Sequence, residues 1–247
     1  MADIAPELLQ RILRLFESGV GANPATTALW EMDDKTYREA FRYAEILGEN
    51  AGRALGMILT NEALPDGRLY FNIAQKTVRP TMEQLQAMVA DYCAAVQETI
   101  NQNAGIGIAA IRPQVNEYRL KDLIDKISDA EKIEDLGWMF KAPVVNFSQA
   151  VVVDSVRENA EFQQGAGLAP KLIRSQAGKC CDWCDGLLGV YDYAEHKDKG
   201  DDIYRRHDNC NCTLDYVPGD GSRKGAWGSR VGGLTAYTEW KNKKAGR

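Results

Sequence analysis

Apolar residues recur with a period of about 3.6 residues through the first two-thirds of the chain, which predicts a mainly helical body. Glycine, proline and asparagine interrupt this pattern and divide it into separate helices. The helices expected from it cover residues 8–18, 34–64, 81–100, 115–128, 130–140 and 147–164. The third of these is expected to open at Thr81, directly after Pro80.

After Pro170 the pattern changes to short segments rich in β-branched and aromatic residues, separated by glycine and aspartate. Strands are expected at 171–175, 187–191 and 213–217, with most of the cysteines in the connections between them. The chain is therefore predicted to be α+β and mainly α. We divide it into a helical body (1–143), a small β-rich module (144–217) and an extended basic tail (218–247).

Charge is distributed unevenly over the 247 residues, whose formal total is −5. Residues 221–247 hold seven lysines and arginines against the single acid Glu239, a net charge of about +6, which leaves the first 220 residues at about −11. Such a tail suits an anionic partner, either nucleic acid or an acidic protein surface. Aromatic residues, usually sparse in linkers, alternate with the basic ones, so we interpret the tail as an interaction arm. The tail residues expected to bind are Arg223, Lys224, Trp227, Arg230, Trp240, Lys241, Lys243 and Lys244.

Five of the six cysteines and both histidines lie between positions 180 and 212. Zinc is held by thiolates and neutral imidazoles, and Cys181-x-x-Cys184 offers two such sulfurs from one turn. His207-x-x-Cys210 offers a second pair after 22 intervening residues. Cys212 could replace either member of that pair, since alternate residues of an extended segment face the same side. We therefore predict a structural zinc ion that staples the β-rich module. Its candidate ligands are Cys181, Cys184, His207 and either Cys210 or Cys212.

Other interpretations of this cluster stay open. The six candidate side chains, which include Cys180, could be reduced groups that pack without a metal. A redox Cys-x-x-Cys pair is disfavoured because no βαβ pattern surrounds it. The sequence shows no signal-peptide pattern, which predicts a cytosolic protein. Disulfides are rare in the cytosol, so they are disfavoured here. A catalytic metal is disfavoured because four protein ligands leave no open position. His196 lies in a run of charged residues and is expected to be solvated.

Motifs of the common enzyme classes are missing from the sequence. It contains no Gly-x-x-x-x-Gly-Lys-Ser/Thr loop, no Gly-x-Gly-x-x-Gly opening a helix and no Gly-x-Ser-x-Gly elbow. The His-x-Glu partner of a zinc deaminase is also missing. No run approaches the roughly 18 consecutive apolar residues of a membrane-spanning helix. We therefore expect neither an enzyme nor a membrane protein.

The order of elements in residues 144–217 resembles that of a known family. A helix containing Ser155-Val156-Arg157-Glu158-Asn159-Ala160 is followed by a strand and by a Cys-x-x-Cys segment that runs on to Gly189. The motif His207-Asp208-Asn209-Cys210-Asn211-Cys212-Thr213-Leu214 comes next. Together these parts resemble the Mu F-like head morphogenesis proteins, the minor capsid proteins of tailed bacteriophages. The chain departs from that family at Asp208, where proline is usual, and in the extra thiol of Cys180.

This resemblance implies a virion protein present in a few copies inside the head and made in the cytoplasm of a bacterial host. Such proteins bind the portal protein or the major capsid protein, and they act in head assembly, DNA packaging or genome delivery. The basic tail would then contact packaged DNA. The alternative hypothesis is a free-standing zinc-dependent nucleic-acid-binding protein, in which Trp227, Tyr237 and Trp240 stack on bases while the basic residues contact phosphates.

Overall fold

A computed structural model describes residues 3–178, 181–198, 200–207 and 209–219. The helices are α1 (Ala5–Gly21), α2 (Pro24–Glu31), α3 (Tyr37–Ile58), α4 (Phe71–Asn103), α5 (Glu117–Asp129), α6 (Ala142–Gly165) and α7 (Asp182–Gly186). The strands are β1 (Lys171–Gln176), β2 (Gly189–Asp192) and β3 (Cys212–Val217). They form an antiparallel sheet in the order β2-β1-β3, which confirms a mainly helical α+β chain. None of the described helices is both long and apolar enough to cross a membrane.

Helix α3 packs against α1, α4 and α6, and its apolar stripe is buried. Two glycines on α3 allow the chain around the start of α6 to approach closely. A Cβ atom on Gly48 would lie 2.8 Å from the Cα atom of Val145, and one on Gly52 would overlap the carbonyl oxygen of Phe140. The lack of side chains at these two positions therefore sets the distance between α3 and α6.

The predicted start of the third helix is wrong, because α4 begins at Phe71 and passes through Pro80. Proline inside a helix removes one backbone hydrogen bond and crowds the preceding turn. Buried hydroxyls make additional bonds to carbonyl groups of this turn and the one before it. Thr81 donates to the carbonyl of Thr77 at 2.7 Å, and Thr77 donates to that of Ile73 at 2.8 Å. The turns before the proline also bury apolar side chains, so the helix continues.

The helix predicted at 130–140 is also wrong, because this segment forms only a 3₁₀ turn at Ile133–Leu136. Its buried apolar residues are Ile133, Leu136, Met139 and Phe140, and the first three recur every three positions, which is the period of a 3₁₀ helix. The chain then turns at Lys141 into α6, which begins at Ala142 rather than at residue 147.

The predicted strands are confirmed, with small shifts at their ends. Strand β1 is central, and Arg174 on it faces Gly189 of β2 on one side and Leu214 of β3 on the other. The register also places Cys212, the first residue of β3, opposite Gln176 at the end of β1. The cysteine-rich connections therefore lie at one end of the sheet.

Buried polar side chains join the sheet to the helices. The hydroxyl of Tyr37 donates to Gln97 Oε1 at 2.8 Å, and Gln97 Nε2 donates to Asn101 Oδ1 at 2.9 Å. Gln163 Nε2 donates to the same Asn101 oxygen at 2.8 Å, and the hydroxyl of Tyr216 donates to Gln163 Oε1. Helices α3, α4 and α6 and strand β3 all contribute to this network, which fixes their relative positions. The apolar core is likewise continuous from α1 to β3. The division of the chain at residue 143 stays a prediction.

Candidate metal centre

The first pair of candidate ligands is held by the short helix α7. Cys181 is the N-cap of this helix, and its Sγ accepts a hydrogen bond from the backbone amide of Cys184 at 3.4 Å. The amide of Asp185 closes the same turn by donating to the Cys181 carbonyl oxygen at 2.9 Å. The turn thereby keeps both sulfurs close together. Cys184 is buried, whereas Cys181 is exposed.

The second pair lies on the loop that leads into β3. The backbone amide of Cys210 donates to the carbonyl oxygen of His207 at 3.1 Å, which forms a tight turn. Asn209 within this turn has a φ of 59°, a left-handed conformation that asparagine tolerates better than most residues. Cys210 and Cys212 lie on the short segment between this turn and strand β3, so the turn fixes one end of the segment and the sheet fixes the other. Both cysteines are buried.

The two pairs converge although 22 residues separate them in the sequence. His207 Nε2 lies 3.3 Å from Cys181 Sγ and 3.2 Å from Cys184 Sγ, and Cys184 Sγ lies 3.6 Å from Cys210 Sγ. Zinc bonds at tetrahedral angles separate sulfur and nitrogen ligands by about 3.5 to 3.8 Å. The three observed separations are close to these values, so these neighbouring ligand atoms are spaced much as they are around a zinc ion.

The five predicted ligands form two overlapping groups of three. The ligand atoms of Cys181, Cys184 and His207 lie within 4.8 Å of one another, and so do those of Cys184, Cys210 and Cys212. Cys184 belongs to both groups and therefore lies at the middle of the cluster. These groups could hold a metal ion, as the sequence predicted.

The remaining predicted binding residues lie outside the described part of the chain. They are Cys180 and the tail residues Arg223, Lys224, Trp227, Arg230, Trp240, Lys241, Lys243 and Lys244. Their roles stay predictions.

Arg174 of β1 contacts the cluster, and sequence reasoning missed it. Its Nη2 donates to Cys184 Sγ at 3.7 Å, while its Nη1 donates to the carbonyl oxygens of Ile203 at 2.6 Å and Arg205 at 2.9 Å. Its guanidinium carbon lies 5.5 Å from the centre of the Trp183 ring. A buried cation beside a sulfur favours the thiolate over the thiol. Arg174 lies in the middle of a strand and far along the chain from the histidine motif, so no pattern in the sequence predicts this contact.

Arg206 ties the second ligand pair to the helical body. Its Nη2 donates to the carbonyl oxygen of Cys210 at 2.6 Å and to Gln149 Oε1 of α6 at 2.8 Å. Its Nη1 donates to the carbonyl oxygen of Cys212, and its guanidinium carbon lies 4.7 Å from the ring centre of Phe41 on α3. One side chain thus connects the cysteine loop to two helices.

The surroundings of the sulfurs favour different protonation states. Burial raises the pKa of Cys184 to about 11. Burial also opposes ionisation of Cys210, yet its pKa is lowered, because the Arg206 guanidinium and the Cys212 amide favour the thiolate. The backbone amide of Cys184 lowers the pKa of Cys181. A metal ion binds thiolates, so it would have to displace a proton from Cys184 above all.

The two arginines provide a test of whether a metal fits. Arg174 Nε and Arg206 Nε are buried and have no hydrogen-bond acceptor among the described residues. Buried cations require compensating negative charge, and neutral thiols supply none. A zinc ion held by three thiolates and one neutral imidazole carries a net negative charge. The donor set and the two guanidinium groups around it therefore fit a zinc centre.

The expectation that His196 is solvated is wrong. Its Nδ1 lies 2.6 Å from Asp201 Oδ2, and its ring packs against Tyr191 with 4.9 Å between ring centres. The hydroxyl of Tyr204 donates to the His196 carbonyl oxygen at 2.6 Å. These contacts close the loop that follows β2, and they lie apart from the two groups of candidate ligands.

No family model matches the chain, and neither a curated protein nor a solved structure matches it. The functional interpretation therefore depends on the geometry of the cysteine and histidine cluster and on the motifs in the sequence.

Proposed function

We propose that the cluster is a structural zinc centre with Cys181, Cys184, His207 and Cys210 as its ligands. The observation that carries this proposal is the convergence of two Cys/His pairs from separate loops to distances of 3.2 to 3.6 Å. When bound, zinc supplies four directed bonds that join the two loops. Cys210 is chosen over Cys212 because its amide closes the turn at His207 and because the sheet holds Cys212 opposite Gln176.

The proposed role is structural because all four ligands come from the protein. Such a site leaves no coordination position for a substrate or an activated water. Cys184 and Cys210 are also buried, at 1 % and 4 % exposure, which restricts access to the ion. Within the centre, Arg174 and Arg206 would hold the loops in place and balance the negative charge of the thiolates.

Serine variants of the two competing cysteines test the ligand assignment. Cys210→Ser should lower bound zinc well below one ion per chain, whereas Cys212→Ser should leave it close to one. Elemental analysis of the purified full-length variants measures this, with Cys184→Ser as the positive control for loss. The reverse pattern would assign Cys212 as the fourth ligand. Full zinc retention in all three variants would contradict a zinc centre at this cluster.

We further propose that the chain is a minor capsid protein of a tailed bacteriophage, bound inside the head to the portal or the major capsid protein. Support comes from the parts of the sequence that resemble the Mu F-like family, which correspond to α6, β1, α7 and the loop before β3. The cysteines and the histidine of those motifs are the residues that cluster in space. A zinc-closed module of this kind would give the protein a rigid unit for its place in the head.

Mass spectrometry of purified phage particles tests this second proposal. We expect the chain in intact heads at a few copies per particle, together with co-purification of the portal or the major capsid protein from assembling heads. Absence from particles of a phage that encodes the chain would contradict the capsid role and leave the zinc proposal unaffected.

A further inference from the structure

A groove with a volume of about 800 Å³ lies between α5, the start of α6 and residues 204–206. We call it the α5–α6 groove. Its floor is apolar and includes the buried side chains of Leu123, Met139 and Phe147. Its walls also carry two strongly exposed aromatic side chains, Tyr118 at 81 % and Trp138 at 61 %. Large exposed aromatic residues beside an apolar concave surface are typical of a binding site.

The walls of the α5–α6 groove carry more cations than anions. Five arginines and lysines line it against two aspartates, although the first 220 residues together are strongly acidic. The carboxylate of Asp154 is shared: Arg119 donates to it through both Nη atoms, and Arg157 lies 3.8 Å from it and 3.6 Å from Glu158. Lys126 lies 2.8 Å from Asp122, with its side chain 62 % exposed. Arg205 also pairs with Asp202, so when Glu158 and Asp202 are counted the groove has five cations against four anions, a net charge of about +1 on an acidic body.

The composition of the groove favours a protein partner over a nucleic acid. Tyrosine, tryptophan, methionine and arginine are enriched at the centres of protein interfaces, and the first two with arginine supply most hot spots. Nucleic acid presents a phosphate at every nucleotide, so the carboxylates of Asp122 and Asp154 would repel it. A peptide can place its acidic side chains opposite the cations alone and insert apolar side chains into the floor.

We propose that the α5–α6 groove docks an acidic segment of a partner protein. The apolar side chains of this segment contact the floor of the groove and Trp138, and the carboxylates of the segment pair with Arg119 and Lys126. This proposal requires neither the zinc centre nor the assignment to a virion, because Arg119, Lys126 and Trp138, the side chains that would contact the partner, lie on α5 and between α5 and α6.

A random dodecapeptide display library, selected on the wild-type full chain and counter-selected on Trp138→Ala, identifies the chemistry of the ligand. We expect the enriched peptides to carry a net negative charge and at least one aromatic or large aliphatic residue. A synthetic peptide with the enriched consensus should bind the wild-type chain in a fluorescence anisotropy titration. Trp138→Ala and Lys126→Glu should each weaken it by about tenfold, the loss typical of a hot-spot residue.

Two matched variants control for general effects. Phe162→Ala removes an exposed aromatic side chain of α6 outside the groove, and Lys121→Glu reverses an exposed charge of α5 outside it. Both should bind the peptide as the wild type does, and all four variants should unfold at the wild-type temperature. No enrichment, enrichment of basic peptides, or equal losses in the control variants would overturn the proposal. Binding of oligothymidine that is lost in Trp138→Ala and Lys126→Glu would overturn it in favour of a nucleic acid.

Discussion

Arg206 contacts the candidate metal centre through the backbone of the ligand loop. Its planar guanidinium donates to the carbonyl oxygens of Cys210 and Cys212 and to Gln149, while it lies over the ring of Phe41. A lysine at this position keeps the positive charge but cannot reproduce the forked bonding. The geometry of this one side chain, and not its charge alone, therefore positions the loop.

Arg206→Lys should consequently weaken zinc binding by about 10-fold to 100-fold, as is typical when a side chain that orients metal ligands is lost. Competition with a chromophoric chelator measures the affinity. Arg205→Lys is the matched control, because the side chain of Arg205 is 64 % exposed and pairs with Asp202. Equal affinities in the wild type and in Arg206→Lys would show that the loop does not need this contact.

Asp215 makes the stability of the fold depend on pH. This residue of β3 is half-buried, and burial raises its pKa from the ordinary 3.8 to about 6. The folded state therefore holds the proton more tightly than the unfolded state. The charged carboxylate costs stability above pH 6, and this cost disappears below about pH 4. Asp215→Asn should raise the free energy of unfolding at pH 8 by about 1 to 3 kcal/mol.

Urea titrations at two pH values check the sign of this effect. The gain from Asp215→Asn at pH 5 should be roughly half of that at pH 8, because most of the folded molecules are already protonated there. In the folded protein the backbone amide of Tyr216 donates a hydrogen bond to Asp215 Oδ1 at 3.0 Å, and the side-chain oxygen of an asparagine can accept the same bond. Asp34→Asn, at an exposed aspartate, should change nothing. A gain that is independent of pH would contradict the assigned cause.

Among the helices, the contact between α3 and α6 depends on a glycine. A side chain at Gly52 would collide with the carbonyl oxygen of Phe140, a backbone atom that cannot rotate away. Gly56 lies one turn further along the same helix, and a Cβ atom there would be in ordinary contact with the Phe140 side chain alone, at 3.8 Å or more. The two positions therefore share a helix and a neighbour but differ in the space available.

Alanine substitutions at the two positions should have opposite signs. Gly52→Ala should destabilise the chain by about 1 to 3 kcal/mol, as overpacking usually does. Gly56→Ala should stabilise it by about 0.5 to 1 kcal/mol, because alanine favours the helix. Denaturant unfolding of both full-length variants measures the difference. Stabilisation by both would show that the helices can separate at no cost.

The same elements show how far sequence patterns predict this fold. Helical period and strand composition located α3, α5 and all three strands, because each buries one face against a neighbour. The pattern failed at Pro80, where threonine hydroxyls bond to carbonyl groups and the helix continues, and at 130–140, where only a 3₁₀ turn forms. It also missed α2, whose eight residues give too few turns for a period to register.

The candidate metal centre was predictable only in part for a related reason. Cysteine and histidine are rare, so their spacing alone pointed to five ligands that do come together. Arginines are common, and the role of Arg174 and Arg206 depends on contacts between strands, loops and helices that are remote in sequence. Side chains that support a site leave no local pattern, whereas those that form it often do.

For the molecule as a whole, charge separates the tail from the rest. The first 220 residues carry about −11, and residues 221–247 carry about +6. Deletion of residues 221–247 should therefore reduce the affinity for duplex DNA at low salt and reduce its dependence on salt concentration. The unfolding temperature should stay unchanged, because the core of the described residues is complete without the tail. Unchanged DNA affinity after the deletion would contradict a role for the tail in DNA binding.

Hydrogen exchange with and without a chelator tests the central claim, that zinc holds the module together. After zinc removal, residues 181–188 and 205–212 should lose most of their protection. Strands β1 and β3 should lose less, because Leu172, Leu214 and Tyr216 belong to the same core as the helices, and α1, α3 and α4 should keep theirs. Identical exchange in the zinc-free and zinc-bound protein would contradict a structural role for the ion.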